Sequence, residues 1–389
     1  MGKAIVSKRA IVLDSATRVL AEKGFEGATI SEIAKEAQVA PSGIYTCFNS
    51  KEEILFTIIE EFLIESIEGI KDHLEGIQGA INKLRKAVWY HCKFYSASRK
   101  EIQIILESRS YPEFYKSSAY KKLKQYSGIF TTIIEQGVAE GSFRKSIPPR
   151  IVRDMILGTV DHVAINWTLK NGTSPLEVAE HLFDLINNAI TRKKTIISPA
   201  NKKERKRRQI ICCASKLFAS YGYKDTNVIE IARQAGVSEG TIYDYYQNKE
   251  NLLINIPEEK LGQLLDELSG NSPEIELRKL IYSLFNFYNE DRDYSRILVL
   301  MLRPNKNFYY SESNKILEKI FSIIQGIIRD GQNSGVFISE LRPTVCRALL
   351  FGSIDHILIP WIIFKRNYDL IKVRNEIASL FIDALKENS

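Results

Sequence analysis

Apolar residues along this chain recur at spacings of three and four. Ile11, Ala16, Val19 and Leu20 fall on one helical face, as do Leu349, Leu350, Ile354 and Ile357. No stretch alternates apolar and polar residues between hairpin signals, so the pattern predicts an all-α chain. Helix breakers stand where such elements should end, at Gly24, Gly172, Pro175, Gly222 and Gly335. Pro148-Pro149 and Pro343 each precede a long apolar helix. From about 192 to 204 the periodicity lapses into Arg192-Lys193-Lys194, Ser198-Pro199 and a basic run, which reads as a linker. About a dozen extended residues reach on the order of 40 Å, enough to lead from one unit to the next.

The pattern is written twice. Residues 11–56 and 209–254 align without a gap at an offset of 198, with 13 identities in 46 positions. These include Ala16/Ala214, Gly24/Gly222, Ile33-Ala34/Ile231-Ala232, Ala37/Ala235, Val39/Val237, Ile44-Tyr45/Ile242-Tyr243 and Lys51-Glu52/Lys249-Glu250. Residues 133–167 match 327–361 at an offset of 194, through Gly137/Gly331, Gly141/Gly335, Phe143/Phe337, Asp161-His162/Asp355-His356 and Trp167/Trp361. Such self-similarity means two like units of about 195 residues each. The offset falls by four between the blocks, about one helical turn lost from repeat 2.

Composition narrows the class. With 389 residues, 44% hydrophobic and 26% charged, the chain suits a soluble protein with a large core. The longest apolar run, Ile357 to Phe364, is too short to span a bilayer. No secretory signal stands at the N-terminus, and five cysteines without paired CxxC spacing suit a reduced cytoplasmic protein. Cys212-Cys213 reads as two small apolar helix residues rather than an oxidant sensor. The net charge of +7 is compatible with a nucleic-acid partner. Its excess is local, in Lys202, Lys203, Arg205, Lys206, Arg207 and Arg208, which form either a solvated linker or a basic arm. Residues 1–55 balance seven basic against seven acidic side chains, so repeat 1 has no such cluster.

Within each repeat the first 50 residues follow one plan. A helix ends at Gly24-Phe25 or Gly222-Tyr223. A second, short helix begins at Thr29 or Asn227, both good caps, and carries Ile33-Ala34 and Ala37, or Ile231-Ala232 and Ala235. A tight turn follows at Gln38-Val39-Ala40 or Gly236-Val237-Ser238, then a third helix with Ile44-Tyr45 or Ile242-Tyr243. Two short helices around a three- to four-residue turn with a buried apolar residue make a helix-turn-helix. Its second helix can enter the DNA major groove.

Residues 231–250, Ile-Ala-x-x-Ala-Gly-Val-Ser-x-Gly-Thr-Ile-Tyr-x-x-Tyr-x-x-Lys-Glu, closely resemble the signature of TetR-family transcriptional regulators. Residues 33–52 resemble it too, with Gln38 for the usual turn glycine and Ser42-Gly43 where Gly240-Thr241 stands. The resemblance covers the whole chain as two fused subunits. It implies an all-α fold in which each unit has a three-helix head and a larger ligand and dimerisation domain. Boundaries are expected at 6–66, 67–191, 192–203 (linker), 204–264 and 265–389. Subunits of this family pair through two C-terminal helices, so an intrachain pseudo-dimer is expected, monomeric in solution. The resemblance further implies phosphate contacts from Thr29, Tyr45 and Lys51, and from Asn227, Tyr243 and Lys249. Base-edge candidates are Pro41, Ser42, Gly43 and Thr46 in repeat 1, and Glu239, Gly240, Thr241 and Asp244 in repeat 2, with Ser238 a further DNA-binding candidate. Tyr45 and Tyr243 have packing as an alternative role, and Lys51 and Lys249 could merely open the fourth helix.

Between the head and the dimer helices stand Trp89, Tyr90, Phe94, Tyr95, Arg109, Phe114 and Tyr115, and in repeat 2 Phe285, Tyr288, Arg303, Phe308 and Tyr309. At an offset of 194, Arg109 pairs with Arg303, Phe114 with Phe308, and Phe94 with Tyr288. An aromatic cavity with an arginine at its rim would suit an amphiphilic anion; plain core packing is the other reading. Leu106-Glu-Ser-Arg109, the Gly-x-x-x-Gly-x-Phe run and Gly-Thr-Val-Asp161 look similar to the family's fatty-acid-degradation regulators, which respond to long-chain acyl-CoA. His162 and His356 lack a metal-ligand cluster in sequence and are expected at a helix interface. Pro257, where repeat 1 has Ile59, should kink or end the fourth helix of repeat 2.

The expected function is a DNA-binding regulator, a repressor that leaves an asymmetric operator when a small effector binds. No cofactor, metal or membrane partner is expected. No phosphate loop, metal-ligand spacing or nucleophile elbow points to an enzyme. An alternative is an interaction protein in which one head no longer binds DNA.

Overall fold

The computed structural model of the chain describes residues 7–170, 172–191, 207–246, 248–253, 272–303, 306–364 and 369–386. The expected linker at 192–203, the basic residues Lys202 to Lys206 and Pro257 lie outside them, as do the side chains of Arg207, Arg208, Cys212 and Asp244. Every regular element among the described residues is helical, as the spacing of apolar positions requires.

Contacts group the chain into two compact units. The first comprises Met1–Lys145 with Val160–Phe183; the second comprises Ser146–Thr159 with Asp184–Ser389. The repeat boundary and the compact units therefore differ. Ser146–Thr159 belongs to repeat 1 by sequence and to the second unit by contact.

The head of repeat 1 has α1 (Lys8–Gly27), α2 (Ile30–Glu36) and α3 (Pro41–Tyr45), followed by the long α4 (Lys51–Leu74). Gly24 breaks the α1 ladder at φ 72° and ψ 166°. Such a conformation suits a residue without Cβ. Thr29 opens α2 through a capping box with Glu32. Pro41 stands in the first turn of α3, where its missing N–H costs nothing. In α4, Ile54, Leu55, Ile58, Ile59, Phe62 and Leu63 form the buried stripe.

The body of repeat 1 has α5 (Ala80–Ala97), α6 (Arg99–Ser108), a 3-10 turn at Pro112–Lys116 and α7 (Ser118–Ala139). Helix α4 packs on α5 and α7, while α1 packs on α6. Two further helices are α8 (Pro149–Lys170) and α9 (Ala179–Thr191).

Repeat 2 opens with α10 (Arg207–Asp225), α11 (Val228–Ala235) and α12 (Glu239–Tyr246). Its body has α13 (Pro273–Glu290), α14 (Arg292–Arg296), a π-helix at Ile297–Leu302 and a 3-10 turn at Lys306–Tyr310. It closes with α15 (Glu312–Asn333), α16 (Pro343–Ile363) and α17 (Leu370–Leu385). Helix α16 is long and apolar enough to cross a membrane, but 67% of its apolar window is buried within the fold. It is a core helix.

The π-helix records a one-residue insertion. Arg99 and Arg292 differ by 193 positions, whereas Arg109 and Arg303 differ by 194. Each of the first pair bonds the carbonyl of an equivalent tryptophan, Trp167 or Trp361. Between these anchors repeat 2 has one residue more, and a π-turn accommodates it. The equivalence of Phe94 with Tyr288 is thereby corrected. Phe94 answers to Phe287 and Tyr95 to Tyr288, and both tyrosines sit beside the buried Arg–Asp pair of their own repeat.

The Gly-x-x-x-Gly-x-Phe run has a packing explanation in both repeats. A Cβ at Gly137 or Gly331 would strike the ring of Phe143 or Phe337. The second glycine takes φ 77° at Gly141 and φ 69° at Gly335, past the helix end. The phenylalanine N–H then donates to the first glycine's carbonyl, at 2.9 Å and 3.0 Å.

Within the second compact unit α8 and α16 cross with their backbones in contact. A Cβ on Gly158 would overlap the carbonyl of Gly352, and one on Gly352 would overlap that of Gly158. These glycines occupy equivalent positions, 194 apart.

Candidate nucleic-acid interface and effector domain

Each head presents one exposed face on its third helix. In repeat 1, Ile44 is fully buried while Pro41, Ser42 and Thr46 are exposed. Tyr45 is 58% exposed and Tyr243 42%, large apolar surfaces that core packing would have covered. Both rings therefore keep surface that packing leaves uncovered. Gly43 is half-buried because Lys8 lies across it. The Lys8 ammonium donates to Thr46 Oγ1 at 3.1 Å, and the Thr46 hydroxyl donates to the Gly43 carbonyl at 2.8 Å.

Lys8 thus brings a positive charge to the recognition helix of repeat 1. Charge counting missed it, since residues 1–55 are balanced overall. Its neighbour Arg9 is spent on Glu61 at 2.6 Å.

Thr29 is committed to its capping box. Its hydroxyl accepts from the Glu32 N–H at 3.2 Å and donates to the Glu32 carboxylate at 2.8 Å. Lys23 also reaches Glu32, at 2.6 Å. Hydrogen bonds from Lys23 and then Thr29 hold the Glu32 carboxyl down at about 2. Lys51 folds back over the end of α1, donating to the carbonyls of Phe25 and Ala28, with its ammonium 4.3 Å from the Phe25 ring centre. It therefore joins α4 to α1.

In repeat 2, Asn227 caps α11 by accepting from the Ile229 N–H at 2.9 Å. Gly236 takes the left-handed turn at φ 64°. The equivalent Gln38 takes φ 55°, the one non-glycine residue with positive φ among the described residues. Ser238 opens α12, accepting from the Thr241 N–H at 3.2 Å. Glu239 and Gly240 are exposed, Thr241 and Lys249 are half-buried, and Ile242 is buried. Asp244 is the base-edge candidate whose side chain lies outside the description.

The bodies hold the other candidates. Arg109 does not stand at a rim. Its side chain is 12% exposed and pairs with Asp161 at 2.6 Å. Arg303 pairs with Asp355 at 3.0 Å and is 8% exposed. Burial is the largest single influence and opposes the charge on each arginine, but the facing aspartate and the neighbouring tyrosines together raise the pKa. Tyr115 and Tyr309 donate to the carbonyls of Arg109 and Arg303, both at 2.8 Å. Tyr95, Phe114, Phe285, Tyr288 and Phe308 are buried. Burial pushes the Tyr288 phenol up to about 12 and raises that of Tyr95 as well.

Phe94 packs on Phe62 and stacks on Tyr90. Trp89 departs from the expectation. It lies half-buried between Lys86 and Lys93 of its own helix, 4.0 Å and 4.9 Å from their ammonium groups. An open groove of about 530 Å³ borders Lys71, Glu75, Lys83 and Gln136, and none of the predicted ligand residues lines it.

Sequence reasoning overlooked His91 and Tyr126, buried with His91 Nδ1 2.9 Å from the tyrosine hydroxyl. It also overlooked the role of Asp161 and Asp355, each 52 positions from its arginine. His162 is buried on α8 and His356 half-buried on α16.

Comparison with known proteins places these heads and bodies. The family model for bacterial regulatory proteins of the tetR family matches residues 12–58 and again 210–256. The model for the C-terminal region of YsiA-like proteins matches 59–189 and again 257–384. This chain belongs to the tetR family. It carries two complete tetR-type units in tandem. The fatty acid metabolism regulator protein of Bacillus subtilis is 31% identical over 189 residues, 47% of this chain and 97% of that protein. The transcriptional repressor KstR2 of Mycobacterium tuberculosis is 25% identical over 195 residues, 48% of this chain and 94% of that protein. Each relative is thus the length of a single tetR unit. Among solved structures, FadR from Bacillus subtilis in complex with stearoyl-CoA is 25% identical, with 45% of this chain and 96% of that one covered at a TM-score of 0.43.

Proposed function

We propose that this tetR-family chain is a cytoplasmic repressor in which one polypeptide does the work of a dimer. The observation that carries the reading is the crossing of Gly158 with Gly352. A residue meets its own counterpart only at a two-fold axis. That contact supports pairing of the two repeats through α8 and α16, as in a dimer of separate subunits. The partner is then covalently supplied, and assembly no longer depends on concentration.

Unequal recognition helices favour an asymmetric operator. Repeat 1 offers Pro41, Ser42, Gly43 and Thr46 beside Lys8; repeat 2 offers Ser238, Glu239, Gly240, Thr241 and Asp244. The ionised carboxylates of repeat 2 only accept and suit the amino group of cytosine, whereas the Ser42 and Thr46 hydroxyls of repeat 1 can either donate or accept. Thr29, Tyr45 and Lys51, with Asn227, Tyr243 and Lys249, are proposed as the phosphate contacts. Lys51 would then exchange or share its carbonyl partners on docking. Light scattering tests the assembly. A mass near 44.5 kDa at micromolar concentration is expected, and a mass near twice that would overturn the single-chain reading.

The effector is proposed to be an acyl-CoA or a similar amphiphilic anion. Similarity to a fatty acid metabolism regulator supports this, as do the aromatic interiors around Tyr95 and Tyr288. Because Arg109 and Arg303 are already paired with carboxylates, the acyl chain rather than the headgroup should supply most of the affinity. Calorimetry with C12–C18 acyl-CoA is the test. Absence of binding, with DNA affinity unchanged, would remove the effector assignment. A second reading, in which the repeat 2 head has lost DNA binding, draws on the exposed Glu239 at the start of its recognition helix.

A further inference from the structure

A carboxylate from the body of repeat 1 reaches into its head, within the packing of α1 on α6. Gly24 leaves the helical region, so the Phe25 N–H loses its place in the α1 ladder. Glu107 of α6 supplies the acceptor, with its Oε1 3.0 Å from the Phe25 nitrogen. The fit is close, since a Cβ on Gly24 would also lie 3.0 Å from that oxygen. Around the bond, the Phe25 ring packs edge-on to Tyr111 with centroids 5.0 Å apart, and Lys51 holds the Phe25 carbonyl. Two residues after Glu107, Arg109 ties the same helix end to Asp161 of α8. At the end of α6, Arg109 thus bonds α8 while Glu107 bonds the joint between α1 and α4, a set of contacts that links body to head.

Repeat 2 keeps the outer parts of this set, while the position equivalent to Glu107 has no carboxylate. Gly222 makes the same break at φ 80° and ψ 169°, and Arg303 makes the same pair with Asp355. Counting back two residues from Arg303 gives Met301, which has no carboxylate and lies in the π-helix. No heavy atom comes within 4 Å of the Cβ position at Gly222. The residue equivalent to Tyr111 is Asn305 by sequence.

We propose that Glu107 is a positioning residue that locks the head of repeat 1 to its own body, and that repeat 2, with Met301 there, carries an unlocked head. The consequence for DNA rests on the reading that both heads dock. A locked head presents its recognition helix in one orientation, so operator binding costs it little ordering entropy. An unlocked head pays that cost on docking and accepts more variation in half-site position.

The experiment uses the full chain with Glu107→Met, which imports the repeat 2 residue, and Glu107→Gln, which keeps an oxygen acceptor. Amide exchange is followed in the fragments spanning 24–28 and 222–226. A charge-assisted hydrogen bond at a half-buried joint should slow exchange at Phe25 by about tenfold. Glu107→Met should abolish that protection, Glu107→Gln should retain part of it, and the 222–226 fragment should be unchanged in both. On an operator selected from random DNA, Glu107→Met should weaken binding about tenfold, yet lose less than the parent when one base pair is inserted between half-sites.

Unchanged Phe25 exchange in Glu107→Met overturns the lock. So does faster exchange spread through both repeats, which would mean general loss of stability. Should Glu107→Met not fold, Glu107→Gln decides alone, since unaltered Phe25 exchange there would contradict a charge-assisted bond. If no variant and no parent protein binds DNA, the regulator reading fails while the exchange result still judges the lock.

Discussion

Gln38 and Gly236 occupy the same turn position with different chemistry. Both adopt positive φ, at 55° and 64°. A left-handed conformation costs a residue with a Cβ about 1–2 kcal/mol relative to glycine. Gln38→Gly should therefore stabilise the repeat 1 head by on the order of 1 kcal/mol, after the extra freedom of glycine in the unfolded chain is subtracted. A rise in the denaturation midpoint of that head would bear this out, and a fall would show that Gln38 makes a compensating contact. Arg109 gives the opposite case. Its removal in Arg109→Ala would leave Asp161, itself buried, without its ion-pair partner, at a cost of about 3–5 kcal/mol. Adding Asp161→Asn should recover part of the loss. A double variant no better than the single one would show that the pair is not energetically coupled. The arginine matched in sequence was legible as a paired feature. Its role was not, because the aspartate that neutralises it lies 52 positions away and no spacing rule joins them. Lys8 was hidden for a similar reason. It reaches α3 across 38 positions, and a local charge count cancels it against distant glutamates.

At the scale of elements, apolar spacing and caps carried most of the fold. Thr29 and Asn227 cap helix starts as the sequence predicts, while Gly24 and Gly222 break α1 and α10 three residues before the ends of those elements. The Gly-x-x-x-Gly-x-Phe runs were legible as a repeat, whereas their cause, a ring seated on the first glycine, needed coordinates. The π-helix at Ile297–Leu302 was not legible. A single inserted residue leaves the apolar content unchanged and shifts the register by one, which a constant offset between repeats conceals. The crossing of α8 and α16 yields the sharpest prediction at this scale. Gly158→Ala or Gly352→Ala would set a Cβ against backbone, which cannot rotate away. Each should cost about 1–3 kcal/mol through overpacking. Alanine at Gly128, where no atom lies within 4 Å of the Cβ position, should be neutral or slightly stabilising. Thermal unfolding of the three variants distinguishes the cases; equal midpoints would mean that the glycine crossing is not a close contact.

For the whole molecule, the family and its duplication were legible because the helix-turn-helix signature stands twice in one chain and the comparisons match both copies. What duplication permits is divergence. Once two subunits share a polypeptide, nothing keeps their heads identical, and the differences already extend from the turn (Gln38 against Gly236) to the recognition helix and to the lock at Glu107 against Met301. The account's central claim is that these unlike heads act together as one regulator. Selection of binding sites from random double-stranded DNA by the full-length chain tests it most directly. The account predicts a site with two half-sites that differ in sequence, bound by one chain. A perfectly palindromic selected site would contradict it, because two unlike heads on one chain would then have no reason to prefer identical halves.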